Sequence, residues 1–132
     1  MVYLTLQHQS FKNIQMKVDL KENTEIEIES TFSFNVGYND DNSVCVAELK
    51  QVLQHKADPE QLSIVVEGKG QFVCEGIVSD EAKKEAHVMA YTLLFPYIQH
   101  LIARLTVDAG LPPLMINLTK MDPESVNIGP NG

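Results

Sequence analysis

The stretch Glu25-Ile26-Glu27-Ile28-Glu29-Ser30-Thr31-Phe32-Ser33-Phe34-Asn35-Val36 decides the fold class. Its even positions carry Ile26, Ile28, Ser30, Phe32, Phe34 and Val36. Its odd positions are polar throughout. Side chains alternate across a β-strand, so a period of two over this length predicts a strand with one wet face. The polar cluster Asn39-Asp40-Asp41-Asn42 follows, and Asn and Asp suit tight turns. A second strand is expected from Val44 to Gln54, with Cys45, Ala47, Leu49 and Leu53 on one face. The two form a hairpin.

Ala57-Asp58-Pro59-Glu60 interrupts the pattern, and a third alternation resumes at Leu62, Ile64, Val66, Phe72 and Cys74. Gly68 and Gly70 fall on its apolar face, which signals a bulge, a bend or close backbone approach. Upstream, Val2, Leu4 and Leu6, then Ile14, Met16 and Val18, predict a long first strand with an irregular polar centre. The segment from Leu20 to Thr24 connects it to the next strand.

The period then becomes helical. Ser79 can cap, and Asp80 and Glu81 place negative charge in a first turn. Ala82, Ala86, Met89, Leu93, Ile98, Leu101 and Leu105 predict the apolar stripe of one long helix. Pro96 lies inside it and removes a backbone donor, so a kink or break is expected near residues 93–96. Gly110 marks a stop, and Leu111-Pro112-Pro113-Leu114 must be extended. Four strands followed by one helix predict an α+β domain, an antiparallel sheet with a long Pro-kinked helix on one face. The domain is expected over residues 1–122, with residues 123–132 as a polar, loosely held tail.

The chain has 132 residues, enough for one domain. Its net charge of −8 repels phosphate backbones, so nucleic acid is not an expected partner. No secretory signal is read in Met1 to Phe11, and no apolar run is long enough for a membrane span, so a cytoplasmic protein without membrane insertion is expected. Cys45 and Cys74 are expected to pack as reduced thiols. His8, His55, His87 and His100 lack metal-binding spacing and are read as isolated surface or boundary side chains, so no metal or other cofactor is expected. Gly68-Lys69-Gly70 does not open a helix and is not read as a phosphate loop. No catalytic constellation emerges, and a binding protein rather than an enzyme is expected. Glu25, Glu27 and Glu29 form an acidic row, read as a solvated face or a dock for a basic partner.

Leu94-Phe95-Pro96-Tyr97 inside a helix, followed by a Pro-containing stretch ending at Asn117-Leu118, resembles the SecB family of protein-export chaperones. Gly70, Phe72, Gly76 and Ile77 also match in spacing. The resemblance implies an ATP-independent holdase that binds unfolded polypeptides and assembles as a dimer of dimers through the first strand and the helix. It implies client grooves near residues 20–24 and 111–118. Leu20, Phe95, Tyr97, Leu111, Leu114, Met115 and Ile116 are the candidate groove residues. Export-type members dock the ATPase SecA through acidic residues on the outer sheet face, and the matching positions here are Asn13, Lys17 and about Val65. None is acidic. SecA is therefore an open partner, and the alternative implied is a dedicated SecB-like chaperone, for instance of an antitoxin.

Overall fold

The computed structural model describes residues 1–21 and 25–126. Four strands, β1 (Tyr3–Val18), β2 (Ile28–Tyr38), β3 (Val44–His55) and β4 (Leu62–Glu75), precede one helix, α1 (Asp80–Asp108). The strands form one antiparallel sheet in the order β1-β4-β3-β2. The helix packs on one face, chiefly over β4, β1 and β3. The α+β architecture expected from the alternation is the one observed.

The hairpin tip follows its turn chemistry. Asn39 Oδ1 accepts from the amides of Ser43 and Val44, and Asn42 takes a left-handed φ of 56°. The strand expected from residue 26 starts at Ile28, where pairing with His55 begins. Glu25 and Glu27 therefore precede the strand, and only Glu29 of the acidic row lies in it.

Two bulges explain the polar centre of β1. The register shifts between Leu6 and His8 and again between Phe11 and Asn13. Each inserts one residue, so each flips the strand's facing. Leu4, Leu6, Ile14, Met16 and Val18 keep the helix-facing phase. Between the bulges the odd residues Gln9 and Phe11 turn toward the helix, opposite Gly70 and Gly68. Exposed His8 is left outside.

The glycines of β4 serve close approach of the helix. A Cβ on Gly68 would sit 2.4 Å from Ile98 Cδ1, and one on Gly70 would sit 3.2 Å from Leu94 Cδ1. With small residues beneath them, Leu94 and Ile98 reach complete burial. The core is then built from β3, β4 and α1 side chains, with Leu49, Leu53, Leu62, Ile64, Phe72 and Tyr91 among the largest.

Ser79 caps the helix, its Oγ accepting from the Ala82 amide at 3.1 Å. The helix is assigned without a break through Pro96. Its buried stripe is Ala82, Ala86, Ala90, Tyr91, Leu94, Phe95, Ile98, Ile102 and Thr106. Leu93, expected in that stripe, is exposed instead. Between Met89 and Leu105 apolar residues occur on both sides of the helix, so spacing alone does not select the buried side. The C-terminus closes on Gly110 at φ 82°, with the Gly110 amide on Val107 O and the Leu111 amide on Thr106 O. That is a Schellman motif. Pro123–Ser125 form a 3-10 turn capped by Asp122, lying against α1. Residues 127–132 of the expected tail lie outside the described residues, as do residues 22–24 of the β1–β2 connection.

Candidate functional site

The helix does not cover the whole inner face of the sheet. The segment after Gly110 returns beside it as an extended strap. Pro112 and Pro113 lack amide hydrogens and cannot continue a helix. Three helix side chains then hold the strap by its backbone. Thr106 Oγ1 accepts from the Leu114 amide at 2.9 Å, Gln99 Nε2 donates to Ile116 O at 2.8 Å, and Tyr91 Oη accepts from the Thr119 amide at 3.2 Å. Successive anchors step backward along the helix while the strap steps forward, so the two run antiparallel. Thr106 is fully buried and also donates to Ala103 O at 2.8 Å.

Between the strap and β2 lies a groove in two parts. One part, about 210 Å³, is lined by Ile26, Ile28, Leu62, Leu111, Pro112, Pro113 and Leu114. It is almost wholly apolar. The other part, about 440 Å³, adds Phe32, Leu53, Tyr91, Met115 and Ile116 together with the polar groups of Ser30, Gln51, Asn117 and Thr119. Phe32 stacks on Tyr91 with centroids 5.3 Å apart, and Phe34 meets the same ring edge-on at 5.3 Å. These rings make a stiff wall. One edge of β2 is paired with β3, and the other has no strand partner among the described residues.

The structure gathers only part of the expected groove set. Leu111, Leu114, Met115 and Ile116 all lie on the strap; Ile116 is 7% exposed and belongs to the core, whereas Met115 is 63% exposed. Phe95 is buried beneath the helix and does not line the groove. Tyr97 faces a different cavity of about 390 Å³, on the β1 side, with Phe11, Pro96, His100, Leu101 and Arg104. Leu20 packs, partly buried, against the core. Phe32 and Tyr91 line the groove although their spacing suggests core, and Gln51 does so although it sits in an apolar alternation. A polar residue inside a buried phase was the available signal for Gln51.

Glu25, Glu27 and Glu29 are exposed beside the apolar part of the groove, flanking Ile26 and Ile28. Lys56 Nζ lies 4.0 Å from Glu27 Oε1, and the Lys56 amide donates to Glu27 O. His55, expected at the surface or its boundary, is buried, with Nδ1 3.1 Å from Glu27 O. Burial lowers the His87 pKa from its ordinary value; its ring meets Phe34 edge-on at 4.9 Å. Burial raises both cysteine thiols, and both are free. Among the described residues no three His, Cys, Asp or Glu side chains are placed to hold a metal ion. No described helix is long and apolar enough to cross a membrane.

On the opposite sheet face, Asn13, Lys17 and Val65 point outward. Lys17 pairs with Glu60, and Lys12 lies 3.4 Å from Glu48. Lys69 stands across from Glu48, and Lys50 across from Glu67. That face is a mixed-charge lattice, not an acidic field.

Comparison with known proteins places this architecture. The family described as Preprotein translocase subunit SecB matches residues 2–122. The chain belongs to the SecB family. The Protein-export protein SecB of Ehrlichia ruminantium is 29% identical over 102 residues, covering 77% of this chain and 47% of that protein. The one from Neorickettsia sennetsu is 40% identical over 47 residues, covering 36% of this chain and 29% of that protein. The chain thus spans less than half the length of these curated relatives. A SecB-like chaperone of Mycobacterium tuberculosis, solved with a peptide from an antitoxin, superposes with a TM-score of 0.70 at 18% identity. That match covers 90% of this chain and 92% of that one, and it shows a shared fold.

Proposed function

We propose that this SecB-family chain is a cytoplasmic, ATP-independent holdase that binds unfolded polypeptides and works by binding rather than by chemistry. The observation that carries this reading is the preformed groove between the strap and β2. An extended client can bury alternate side chains there and add main-chain hydrogen bonds along the unpaired β2 edge. The exposed Met115 on the strap gives an adaptable apolar contact, which suits varied clients.

We further propose a homo-oligomer, a dimer of dimers, built on the β1 side. There Phe11, Ile14 (46% exposed), Val18 (38%) and Tyr97 (44%) leave apolar surface beside the helix. Several copies would hold one client at several points, raising avidity without new contacts. Residues 1–122 act as the folded unit in this reading, with residues 123–132 as a tail. The groove set is Leu111, Leu114, Met115 and Ile116, with Leu20 near its entrance; Phe95 supports it from below, and Tyr97 belongs to the oligomer face.

A second reading is a dedicated chaperone of one client, such as an antitoxin, without SecA docking. The mixed-charge outer face at Asn13, Lys17 and Val65 favours it. Light scattering of a chemically unfolded protein diluted without ATP tests the first reading. Suppression that saturates at a fixed ratio, weakened by Leu114→Glu in a folded variant, supports the holdase. Unchanged aggregation in the presence of the folded wild type sinks it in favour of the dedicated chaperone.

A further inference from the structure

Gln51 breaks the apolar phase of β3 between Leu49 and Leu53, and it is only 4% exposed. Its Nε2 donates to Ser30 Oγ at 2.7 Å and to Thr31 O at 3.3 Å. A carbonyl oxygen can only accept, so the NH₂ group must face Thr31. The amide is therefore oriented by its surroundings. Both of its donors are used on β2, and Oε1 accepts no hydrogen bond among the described residues. Gln51 lines the 440 Å³ part of the groove, whose other walls include Phe32, Tyr91, Leu53, Leu114 and Ile116.

We propose that Gln51 is the specificity-determining residue of the groove, selecting client side chains that carry a hydrogen-bond donor on an aromatic ring, with tyrosine the best fit. This rests on the groove being the client site. Partly exposed Phe32, backed by the buried Tyr91 ring, offers a surface for the face of a client ring, and the 440 Å³ cavity is large enough for one. A phenolic hydroxyl at the ring's far end donates to Oε1. A phenylalanine in the same place removes water from that oxygen and returns nothing. Sites built to bond a hydroxyl discriminate against analogues without one far better than apolar pockets discriminate methylenes.

The probe is a short fluorescein-labelled peptide of alternating serine and leucine with a central tyrosine, beside its phenylalanine twin, titrated into the full chain by anisotropy. Tyrosine is expected to bind about tenfold more tightly. Gln51→Leu, and independently Gln51→Met, should bring the two peptides within about twofold, the tyrosine peptide weakening for want of an acceptor and the phenylalanine peptide tightening as the unpaired oxygen is removed. Equal affinities in the wild type overturn the role of Gln51 and leave the groove intact. So does a preference that survives in either folded variant. Binding of neither peptide overturns the groove reading and this inference with it. The wild-type ratio needs no variant to fold.

Discussion

Gly68→Ala tests the packing that brings the helix onto the sheet. The added methyl would lie 2.4 Å from Ile98 Cδ1 and 3.3 Å from Cγ1. Ordinary carbon contacts are about 3.5–4.0 Å, so more than about 1 Å of overlap must be relieved. Ile98 is completely buried, so its terminal methyl must find room within the core rather than in solvent. Overpacking of this kind costs about 1–3 kcal/mol. Losing glycine's freedom in the unfolded chain returns about 0.4–1 kcal/mol. The net expectation is a loss of about 1–2 kcal/mol, read as a lower urea midpoint at fixed protomer concentration. Ile98→Val removes Cδ1, the clashing atom, and alone should cost about 0.5–1.5 kcal/mol. In the Gly68→Ala background the alanine methyl fills that space, so the double variant should be more stable than the sum of the singles by about 1 kcal/mol or more. Additivity within about 0.5 kcal/mol, or a Gly68→Ala midpoint equal to wild type, would refute the reasoning.

Thr106→Val should free the strap: the Leu114 amide loses its acceptor, stability falls by about 1 kcal/mol, and limited proteolysis within residues 110–119 accelerates. Gly76→Ala and Gly110→Ala should separate sharply, because both glycines have positive φ, yet only a Cβ on Gly76 collides, at 2.1 Å, with the Met1 carbonyl. Thermal melts should show about 1 kcal/mol lost at Gly110 and at least twice that at Gly76. For His87, whose folded pKa lies below its ordinary 6.5, the unfolded chain binds the proton first as pH falls. Stability should therefore be unaffected by this group above about pH 7 and decline as pH drops below about 6.5, a component missing from urea midpoints of His87→Phe. Replacing Glu25, Glu27 and Glu29 together by Gln should slow association of a basic apolar peptide at low salt, and stopped-flow rates of the two proteins should converge at about 1 M salt.

The sheet was legible because each strand has one wet face. Phe32, Phe34 and Val36 report their facing without help from distant residues, and so do Leu62, Ile64 and Val66. The two bulges of β1 were visible only as a polar centre. Their placement depends on which residues of β4 lie opposite, and Phe11 faces Gly68 only because the first shift precedes it and the second follows it. Gly68 and Gly70 announced a close approach without naming Leu94 and Ile98 as the side chains that come close. The helix was legible in its ends, Ser79 and Gly110, and less so in its stripe, since Leu93 and Leu94 are equally apolar and only the sheet distinguishes them. Half of the groove, the strap from Leu111 to Ile116, came from resemblance to a family. The other half includes Phe32 and Tyr91, whose spacing suggests core, and Gln51, a polar residue in the apolar phase of β3. A groove wall and a core residue differ only in what lies across from them, and that partner is set by tertiary packing.

A chain that keeps apolar surface open must also avoid binding itself. The strap solves part of this by occupying the inner sheet face that the helix leaves bare, so that a narrow groove remains instead of a broad patch. It is held by three side-chain anchors on α1, a Schellman turn and the packing of Leu111, Leu114 and Ile116 on the core. Charge addresses the remainder. The net −8 sets up repulsion between copies, and Glu25, Glu27 and Glu29 place part of it beside Ile26 and Ile28, at the apolar end of the groove. Under the proposed function the same carboxylates would attract a basic segment next to an apolar one, and they would oppose contact between the grooves of two copies while leaving the β1 side free to assemble. The outer sheet face, where Lys12, Lys50 and Lys69 offset Glu48 and Glu67, has no such asymmetry, and it is the face on which an acid-dependent docking partner would find least to hold.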